Sequence, residues 1–243
     1  MSSIKWISKM SEVAEVLTNG NLIVTGRLID ASNATLLANC SYKNKDIKCI
    51  YKPIAGERPL WDFPDGNLAN REFAAFLISK HADFNVVPLT ILRDGPFGFG
   101  MVQEWIDIDT SVDLANFFSS DDARLRKMAL FDAIVNNTDR KIGHLLPHEN
   151  GSLYGCDHGV TFHQENKLRT VLWQWAGDAL SDEEMQTLSL LLTKISSHQL
   201  ENLEDLITHT ELNALIIRIE ELLKAKSFPL PNPEWPAIPW PAF

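Results

Sequence analysis

Hydrophobic and polar positions alternate in the first half of the chain with the period of β-strands. The segments GNLIVTGRLIDASNATLLANC and KDIKCIYKP are rich in Ile, Val and Thr and are divided by polar turns, which indicates three strands. VVPLTILRDGPFGFGMVQEWI adds two strands that are joined through the glycine and proline of RDGPFG. Together these segments predict an antiparallel sheet of about five strands.

One helix is expected between the third and fourth strands. In FPDGNLANREFAAFLISKHA, Leu68, Glu72 and Phe76 follow one another at intervals of four, which places them along one face of a helix. Asp65 or Asn67 precedes this pattern and is a suitable N-terminal cap. The sheet therefore contains a single inserted amphipathic helix.

From residue 110 onward the apolar positions follow the period of helices. SSDDARLRKMALFDAIVNN predicts a helix with a serine cap, and its predicted buried side comprises Leu125, Met128, Ala129, Asp132 and Val135. SDEEMQTLSLLLTKI opens with a capping box of Ser181 and Glu184, and TELNALIIRIEELLKAK is the last predicted helix. SLYGCD is expected to be a short strand. The fold class is therefore α+β, with a sheet lobe in residues 1–108 and a mainly helical lobe in residues 109–227.

Residues 228–243 differ in composition from the rest of the chain. FPLPNPEWPAIPWPAF is rich in proline, which favours an extended course over a helix. Trp235, Ile238, Trp240 and Phe243 are expected to be buried, so the segment should lie as a strap across the body of the protein. The alternative is a tail that docks a partner protein.

Composition limits the classes of function. The 243 residues carry 22 Lys and Arg against 32 Asp and Glu, and this formal charge of -10 disfavours binding to nucleic acid or to anionic membranes. No run of eighteen apolar residues and no signal-peptide pattern is present, so we expect no transmembrane segment and no secretion. Three scattered cysteines without a CxxC pair fit a reducing cytoplasm.

One pair of charged positions connects the predicted sheet with the predicted helix. Glu72 lies on the apolar ridge, where an unpaired carboxylate is costly to desolvate, so it needs a cation. Lys52 lies in the strand just upstream, on the same face as Ile50. Many phosphotransferases hold nucleotide phosphates with such a lysine and glutamate. Alternatively, Lys52 extends to solvent and Glu72 lies at the edge of the apolar stripe.

The stretch NNTDRKIGHLLPHENGSLYGCDHGVTFH gathers two aspartates, four histidines and a cysteine. A zinc site would draw on His144, His148, Cys156, His158 and His163. Pro147 disfavours a continuous helix through His144 and His148, and no HExxH or CxxC frame is present, so a zinc hydrolase is the weaker interpretation. The stronger interpretation is a magnesium-phosphate site built on Asp139 and Asp157.

The same stretch follows the order of groups in a kinase catalytic loop. Asp139 fits the catalytic base, and Lys141, two residues later, stands where a lysine meets the transferring phosphate. His144 occupies the fifth position after the base, where a second metal ligand is expected, and Asp157 precedes His-Gly in the place of a magnesium-binding aspartate. With the upstream lysine and glutamate, these residues favour a kinase over an incidental cluster.

Two levels of resemblance support this hypothesis. NNTDRKIGH and LYGCDHGVTF resemble the catalytic loop and metal-binding segment of phosphatidylinositol 3- and 4-kinases and HipA-like kinases. SNAT, YKPIAGERPLWDFPDG, REFAAFLIS, NNTDRKIGHLL, DHGVTFH and IPWPAF resemble an actinobacterial family related to phosphatidylinositol kinases, over nearly the whole chain. The resemblance implies a two-lobed protein-kinase-like fold and an ATP-dependent kinase activity with magnesium, or manganese, as cofactor.

Carried over by position, the resemblance implies roles for individual residues. Asp139 becomes the base, and Asp157 the principal metal ligand. Ser32, Asn33 and Thr35 would cover the phosphates, and the segment around Gln103 and Glu104 would meet adenine. The implied nucleotide-binding residues are Ser32, Asn33, Thr35, Lys52, Glu72, Gln103 and Glu104.

The chain also departs from the kinase pattern. DASNAT replaces a glycine-rich loop, and His144 stands where an asparagine usually binds the second metal, which can shift the metal preference toward manganese. Two alternatives remain open: a kinase-like protein that binds nucleotide or a partner with little turnover, and an enzyme that transfers AMP. The acceptor is expected to be a hydroxyl of a protein or small molecule, with a lipid less favoured.

Overall fold

The computed structural model describes residues 12–28, 33–200 and 202–243. Its larger sheet has five antiparallel strands in the order β1-β2-β3-β5-β4. The strands are β1 (Asn21–Arg27), β2 (Leu36–Tyr42), β3 (Lys45–Pro53), β4 (Thr90–Gly95) and β5 (Gly98–Glu104). The predicted sheet of five strands is confirmed.

The two faces of β3 have different roles because side chains alternate along a strand. Cys49 and Tyr51 are fully buried, on the face that packs with the helical residues 12–19. Lys52 has the opposite orientation and extends from the other face. A turn at Lys43 and Asn44, both with positive φ, sets the register of β3 against β2.

The inserted helix α1 (Leu68–His81) joins the third and fourth strands. The Asn67 side chain accepts a hydrogen bond from the backbone N–H of Asn70, which confirms Asn67 as the cap. The carboxylate of Glu57 accepts from the N–H groups of Leu68 and Ala69, so it satisfies two more of the free donors of the first turn. This double cap fixes where the helix begins and which side chains face the sheet.

The second lobe is mainly helical. Its elements are α2 (Leu114–Phe117), α3 (Ala123–Val135), a 3₁₀ turn (Ile142–His144), β6 (Leu145–Pro147), β7 (Leu153–Gly155), α4 (Asp182–Ser196), α5 (Leu203–Leu206) and α6 (His209–Ala225). The predicted buried side of α3 and the capping box of Ser181 and Glu184 are confirmed. No helix in the described ranges is long and apolar enough to cross a bilayer.

The predicted serine cap of α3 is wrong. Asp122 is the cap: its carboxylate accepts from the N–H of Arg124 and also pairs with the guanidinium of that residue. Ser120 instead donates its hydroxyl to the Phe117 carbonyl in the preceding turn. An ionised carboxylate that meets both the helix end and a nearby cation is the stronger cap at this position.

The C-terminal segment lies against the helical lobe through its main chain and through Phe228 and the partly buried Trp235. Ile142 donates its N–H to Ala242, and Thr170 donates to Ala237. Ile238, Trp240 and Phe243 are 54, 92 and 65% exposed, so the prediction that they are buried is wrong. The main-chain attachment relies on carbonyl groups, which proline-rich chains keep available although their prolines have no N–H.

A buried ion pair joins the two lobes. Arg71 on α1 donates to Glu211 on α6 at 2.6 Å, and both side chains are almost fully buried. Glu211 also closes the capping box of α6 by accepting from Thr208 N–H. One carboxylate thus serves the helix end and the lobe contact together.

We predict that Arg71→Ala lowers the free energy of unfolding by about 3 kcal/mol, since it leaves the Glu211 carboxylate buried without its cation. Chemical denaturation measures the change. Lys43→Gln is the control, because it breaks the exposed pair of Lys43 with Glu15 and should leave the midpoint unchanged. A small effect of Arg71→Ala would show that solvent replaces the lost partner.

Candidate active site

A three-residue ion cluster lies between the two lobes. The Lys52 Nζ atom is 2.5 Å from Glu72 Oε1 and 2.8 Å from Asp157 Oδ1. The second oxygen of Glu72 accepts from the N–H of His158 at 3.0 Å. The cluster therefore ties β3 and α1 to the segment that follows β7, as the pairing predicted from the sequence requires.

The cluster favours the charged forms of Lys52 and Asp157, while burial raises the pKa of Glu72. Burial opposes the charge of Lys52, but the carboxylates of Asp157 and Glu72 outweigh it and raise the lysine pKa. The Lys52 ammonium in turn holds the pKa of Asp157 well below its usual range, against the effect of burial. Asp157 is also held at a φ of 61°, a backbone conformation that is costly for a residue other than glycine.

Asp139 lies between two cations. Its carboxylate oxygens are 3.5 Å from Lys141 Nζ and 3.5 Å from an Arg169 guanidinium nitrogen, and its N–H donates to the Asn137 side chain. Burial raises the pKa of Asp139, and the two cations oppose that increase. A partly buried carboxylate with a raised pKa is suited to accept a proton.

A fully buried arginine organises the loop around Asp139. Arg140 donates two hydrogen bonds of 2.9 Å to Asp132 on α3 and one of 3.1 Å to the Cys156 carbonyl. A guanidinium nitrogen is also 2.7 Å from His158 Nε2, and Asn137 donates to the same Asp132. This network links α3, the Asp139 loop and the segment that carries Asp157.

The structural role of Arg140 and Asp132 was missed by the sequence analysis. The available signal was an aspartate on the buried face of a predicted helix, because a buried carboxylate needs a cation or several donors. Nothing in the sequence identified Arg140, eight positions later, as that cation.

His144 and Asp157 are the residues that fit a metal ion. The Nε2 atom of His144 is 3.7 Å from Asp157 Oδ2, and burial lowers the histidine pKa to about 4, which leaves the imidazole neutral. Its Nδ1 atom is buried without a hydrogen-bond partner. A neutral imidazole beside a carboxylate suits a divalent cation. In the described part of the chain, no three His, Cys, Asp or Glu side chains form a complete metal site.

The other residues of the zinc hypothesis have different partners. His158 contacts Arg140, His163 contacts Lys167, and the ring of His148 packs edge-on against Tyr154. Burial raises the pKa of the Cys156 thiol to about 12, so this residue does not offer a thiolate. These side chains do not converge on a tetrahedral site.

A cavity of about 410 Å³ brings five of the predicted site residues together. They are Asn33, Lys52, Glu72, Asp139 and Asp157. Lys141 and His144 border this group through their contacts with Asp139 and Asp157. The predicted phosphate-binding, base and metal residues therefore share one cleft between the lobes.

The remaining predicted residues lie elsewhere. Ser32 is outside the described residues. Thr35 is buried, next to Asn33, and Gln103 is buried within the sheet, where its side chain donates to Thr90 at 2.9 Å. Glu104 lies at the end of β5, and its N–H donates to the Leu89 carbonyl. Gln103 and Glu104 do not line the cavity.

Comparison with known proteins identifies one relative and a set of similar folds. The chain is 42% identical to Protein Rv2133c of Mycobacterium tuberculosis, over 94% of both chains. Crystal structures of the Golgi casein kinase, alone and with Mn/ADP bound, match with TM-scores of 0.51 and 0.55. These matches are 13 and 12% identical and cover 89% of this chain and 74 and 75% of the kinase chains. No protein-family model matches.

The fold is therefore kinase-like, with an antiparallel sheet lobe followed by a helical lobe, as the sequence predicted. The resemblance of the two motifs to phosphatidylinositol 3- and 4-kinases and HipA-like kinases stays a prediction. The roles of the individual residues also stay predictions.

We predict that Gly155→Ala destabilises the protein by about 2 kcal/mol, because its Cβ would lie 2.9 Å from the buried Arg140 guanidinium. Thermal or chemical unfolding measures this effect. Gly26→Ala is the matched control, also in a strand. The added Cβ has no neighbour closer than 4.0 Å, so the variant should be about as stable as the original protein. Equal stabilities of the two variants would show that the Arg140 network readily shifts.

Proposed function

The chain belongs to the family of the mycobacterial Protein Rv2133c, and we propose that it is an ATP-dependent phosphotransferase that delivers the γ-phosphoryl group to a hydroxyl acceptor. One observation carries the proposal: the ammonium of Lys52 lies between Glu72 and Asp157 in the same cavity as the carboxylate of Asp139. A phosphate-binding cation, a metal-binding carboxylate and a potential base are the groups that phosphoryl transfer needs.

Nucleotide binding is assigned to the sheet-lobe side of the cavity. Lys52 binds phosphate oxygens, and Asn33 covers the phosphates. Gln103 and Glu104 lead into the segment that meets adenine, and the Gln103 side chain, bonded to Thr90, takes no part in that contact. A kinase with the same fold has been solved with Mn/ADP bound, which supports a nucleotide in this cleft.

Asp157 and His144 would hold the divalent cation that accompanies ATP. Such a cation supplies charge neutralisation on the phosphate oxygens. The nitrogen ligand from His144 makes manganese a suitable alternative to magnesium, which prefers oxygen ligands.

The chemical step uses Asp139 as general base. Its carboxylate takes the proton from the acceptor hydroxyl while the hydroxyl oxygen attacks the γ-phosphorus. The bond from phosphorus to the oxygen that bridges the β- and γ-phosphates breaks, and ADP leaves with that electron pair. Lys141 lies beside Asp139 and stabilises the transferring phosphoryl group.

Two aspartate variants separate binding from turnover. We expect ATP with Mg²⁺ or Mn²⁺ to raise the melting temperature, and Asp157→Ala to abolish that increase because the nucleotide-metal complex loses its carboxylate. Asp139→Asn should keep the increase and lose at least about a hundredfold in turnover, since only the base is removed. Asp205→Asn, at an exposed position of α5, should change neither measurement.

Parallel reactions with α- and γ-labelled ATP identify the transferred group. Transfer of the γ-label alone to an acceptor supports the proposal. Transfer of the α-label would show that the enzyme transfers AMP instead of the γ-phosphoryl group. A protein whose melting temperature is unaffected by ATP with either metal would contradict the nucleotide site itself.

The rate should depend on pH through Asp139. A general base acts as the carboxylate, so kcat/KM falls as pH drops through a pKa that burial raises above the ordinary value of about 4. Lys141→Met removes a cation that lowers this pKa, and we expect the acidic limb of the pH-rate profile to move to higher pH. Lys141→Arg keeps the charge and should keep the limb in place. If the acidic limb lies at the same pH in the original protein and in both variants, a group other than Asp139 is responsible for it.

A further inference from the structure

We propose that the acceptor is a neutral, polyhydroxylated small molecule of sugar size, bound where Trp61 and Trp235 border the cavity next to Asp139. This inference rests on the proposed phosphotransferase function and names its acceptor class. Both tryptophans line the same cavity as Lys52, Asp139 and Asp157. The cavity thus extends from the phosphate-binding cluster, past the potential base, to two aromatic rings.

The ammonium of a single lysine, Lys167, contacts both tryptophan rings and fixes their relative position. The ammonium of Lys167 is 5.2 Å from the centre of the Trp61 ring and 4.9 Å from that of Trp235. Lys167 itself is buried and contacts His163 at 3.1 Å. Trp61 is nevertheless 83% exposed, so its ring is available at the mouth of the cavity. Lys167 is therefore a positioning residue for two flat apolar surfaces.

The same region suits a small acceptor. The loop between β3 and α1 crosses to the helical lobe, where Asp62 is 3.8 Å from Lys167 and the ring of Phe63 packs edge-on against His163. These contacts hold the loop beside the cavity of about 410 Å³, which the phosphate-binding residues and the two tryptophans share. The whole cavity is in the range of small-molecule sites.

The charge of the cavity does not favour an anionic acceptor. Its lining contains three cationic side chains, Lys52, Arg58 and Arg169, and five anionic ones, Glu57, Asp62, Glu72, Asp139 and Asp157. Lys141 beside Asp139 and Lys167 beside the two tryptophans bring the number of cations to five, so the charges balance. ATP adds negative charge, which its metal ion offsets in part. With ATP bound, an acidic or phosphorylated acceptor meets this negative charge, while a neutral one does not.

The remaining groups match a sugar. A sugar ring offers a flat C–H face that stacks on an aromatic ring, whose face is negative. Its hydroxyls pair with charged planar groups, and Arg58 and Asp62 supply these at the same wall.

The reaction follows the phosphotransferase step. A sugar hydroxyl oxygen forms the new bond to the γ-phosphorus of ATP, its proton passes to Asp139, and ADP leaves with the electron pair of the broken bond. The product is a sugar phosphate. Its added negative charge beside the ADP product favours release.

The test measures transfer of the γ-label from ATP with Mg²⁺ or Mn²⁺. The probes are glucose, galactose, mannose and arabinose, their methyl glycosides, the anionic glucuronate and glucose 6-phosphate, and a peptide containing serine and threonine. We expect at least one neutral sugar to be labelled with a kcat/KM at least about tenfold above the anionic probes and the peptide. Labelling of the methyl glycoside as well would assign the acceptor to sugars attached to a larger molecule, whereas labelling of the free sugar alone would assign it to free sugars.

Tryptophan variants test whether the ring of Trp61 binds the sugar. Trp61→Ala should raise the KM for the labelled sugar about tenfold, while the KM for ATP and kcat stay close to those of the original protein. Trp61→Phe should restore most of the sugar affinity because it keeps a ring. Trp240→Ala is the matched control, since Trp240 is 92% exposed and does not line the cavity, and it should change nothing.

The outcomes distinguish the inference from the function on which it rests. If ATP stabilises the protein and the γ-label reaches the peptide or water but no sugar, the phosphotransferase function stands and the sugar inference is overturned. An unchanged sugar KM in Trp61→Ala also overturns it. If ATP with either metal neither stabilises the protein nor loses its γ-phosphate, both proposals fail.

Discussion

The ammonium of Lys52, held between the carboxylates of Glu72 and Asp157, is the interaction on which the arrangement of the cleft depends. Burying a charge is tolerable only when it is paired, so these three residues fix the relative positions of β3, α1 and the segment after β7. Asp157 is the more exposed of the two carboxylates, and Lys52 holds its pKa low, so it can attract a further cation. The neutral His144 beside it does not compete for that place.

The need to pair buried charges also governs a second ion pair, deeper in the core. Arg140 and Asp132 are both completely buried, so each offsets the desolvation cost of the other, and their geometry sets the path of the loop between α3 and Asp139. Because Arg140 also binds the carbonyl of Cys156, a shift in this network would move Asp139 and Asp157 together. The fold thus places its functional carboxylates by pairing charges in the core and leaves the outer carboxylates available.

Local rules explain what could be predicted from the sequence. Strand alternation, the Asn67 cap and the capping box of Ser181 depend on neighbours within a few positions, and the need of Glu72 for a cation followed from its place on an apolar ridge. Contacts between distant segments were beyond those rules. The pair of Arg71 with Glu211 spans 140 positions, and neither residue stands out in its own helix. The exposure of Trp240 depends on which surface its segment meets, which composition does not encode.

Asp139 shows how the two kinds of information combine. The sequence indicated a base in a kinase-like loop, and the structure adds two cations, Lys141 and Arg169, at 3.5 Å from its oxygens. Under the proposed function, these cations also face the phosphate groups of an incoming nucleotide. As they pair with phosphate, their hold on Asp139 weakens and its pKa rises further, in the direction already favoured by burial. The strength of the base is then greatest when the phosphoryl donor is in place, so the arrangement links proton acceptance to nucleotide binding without any movement of the backbone.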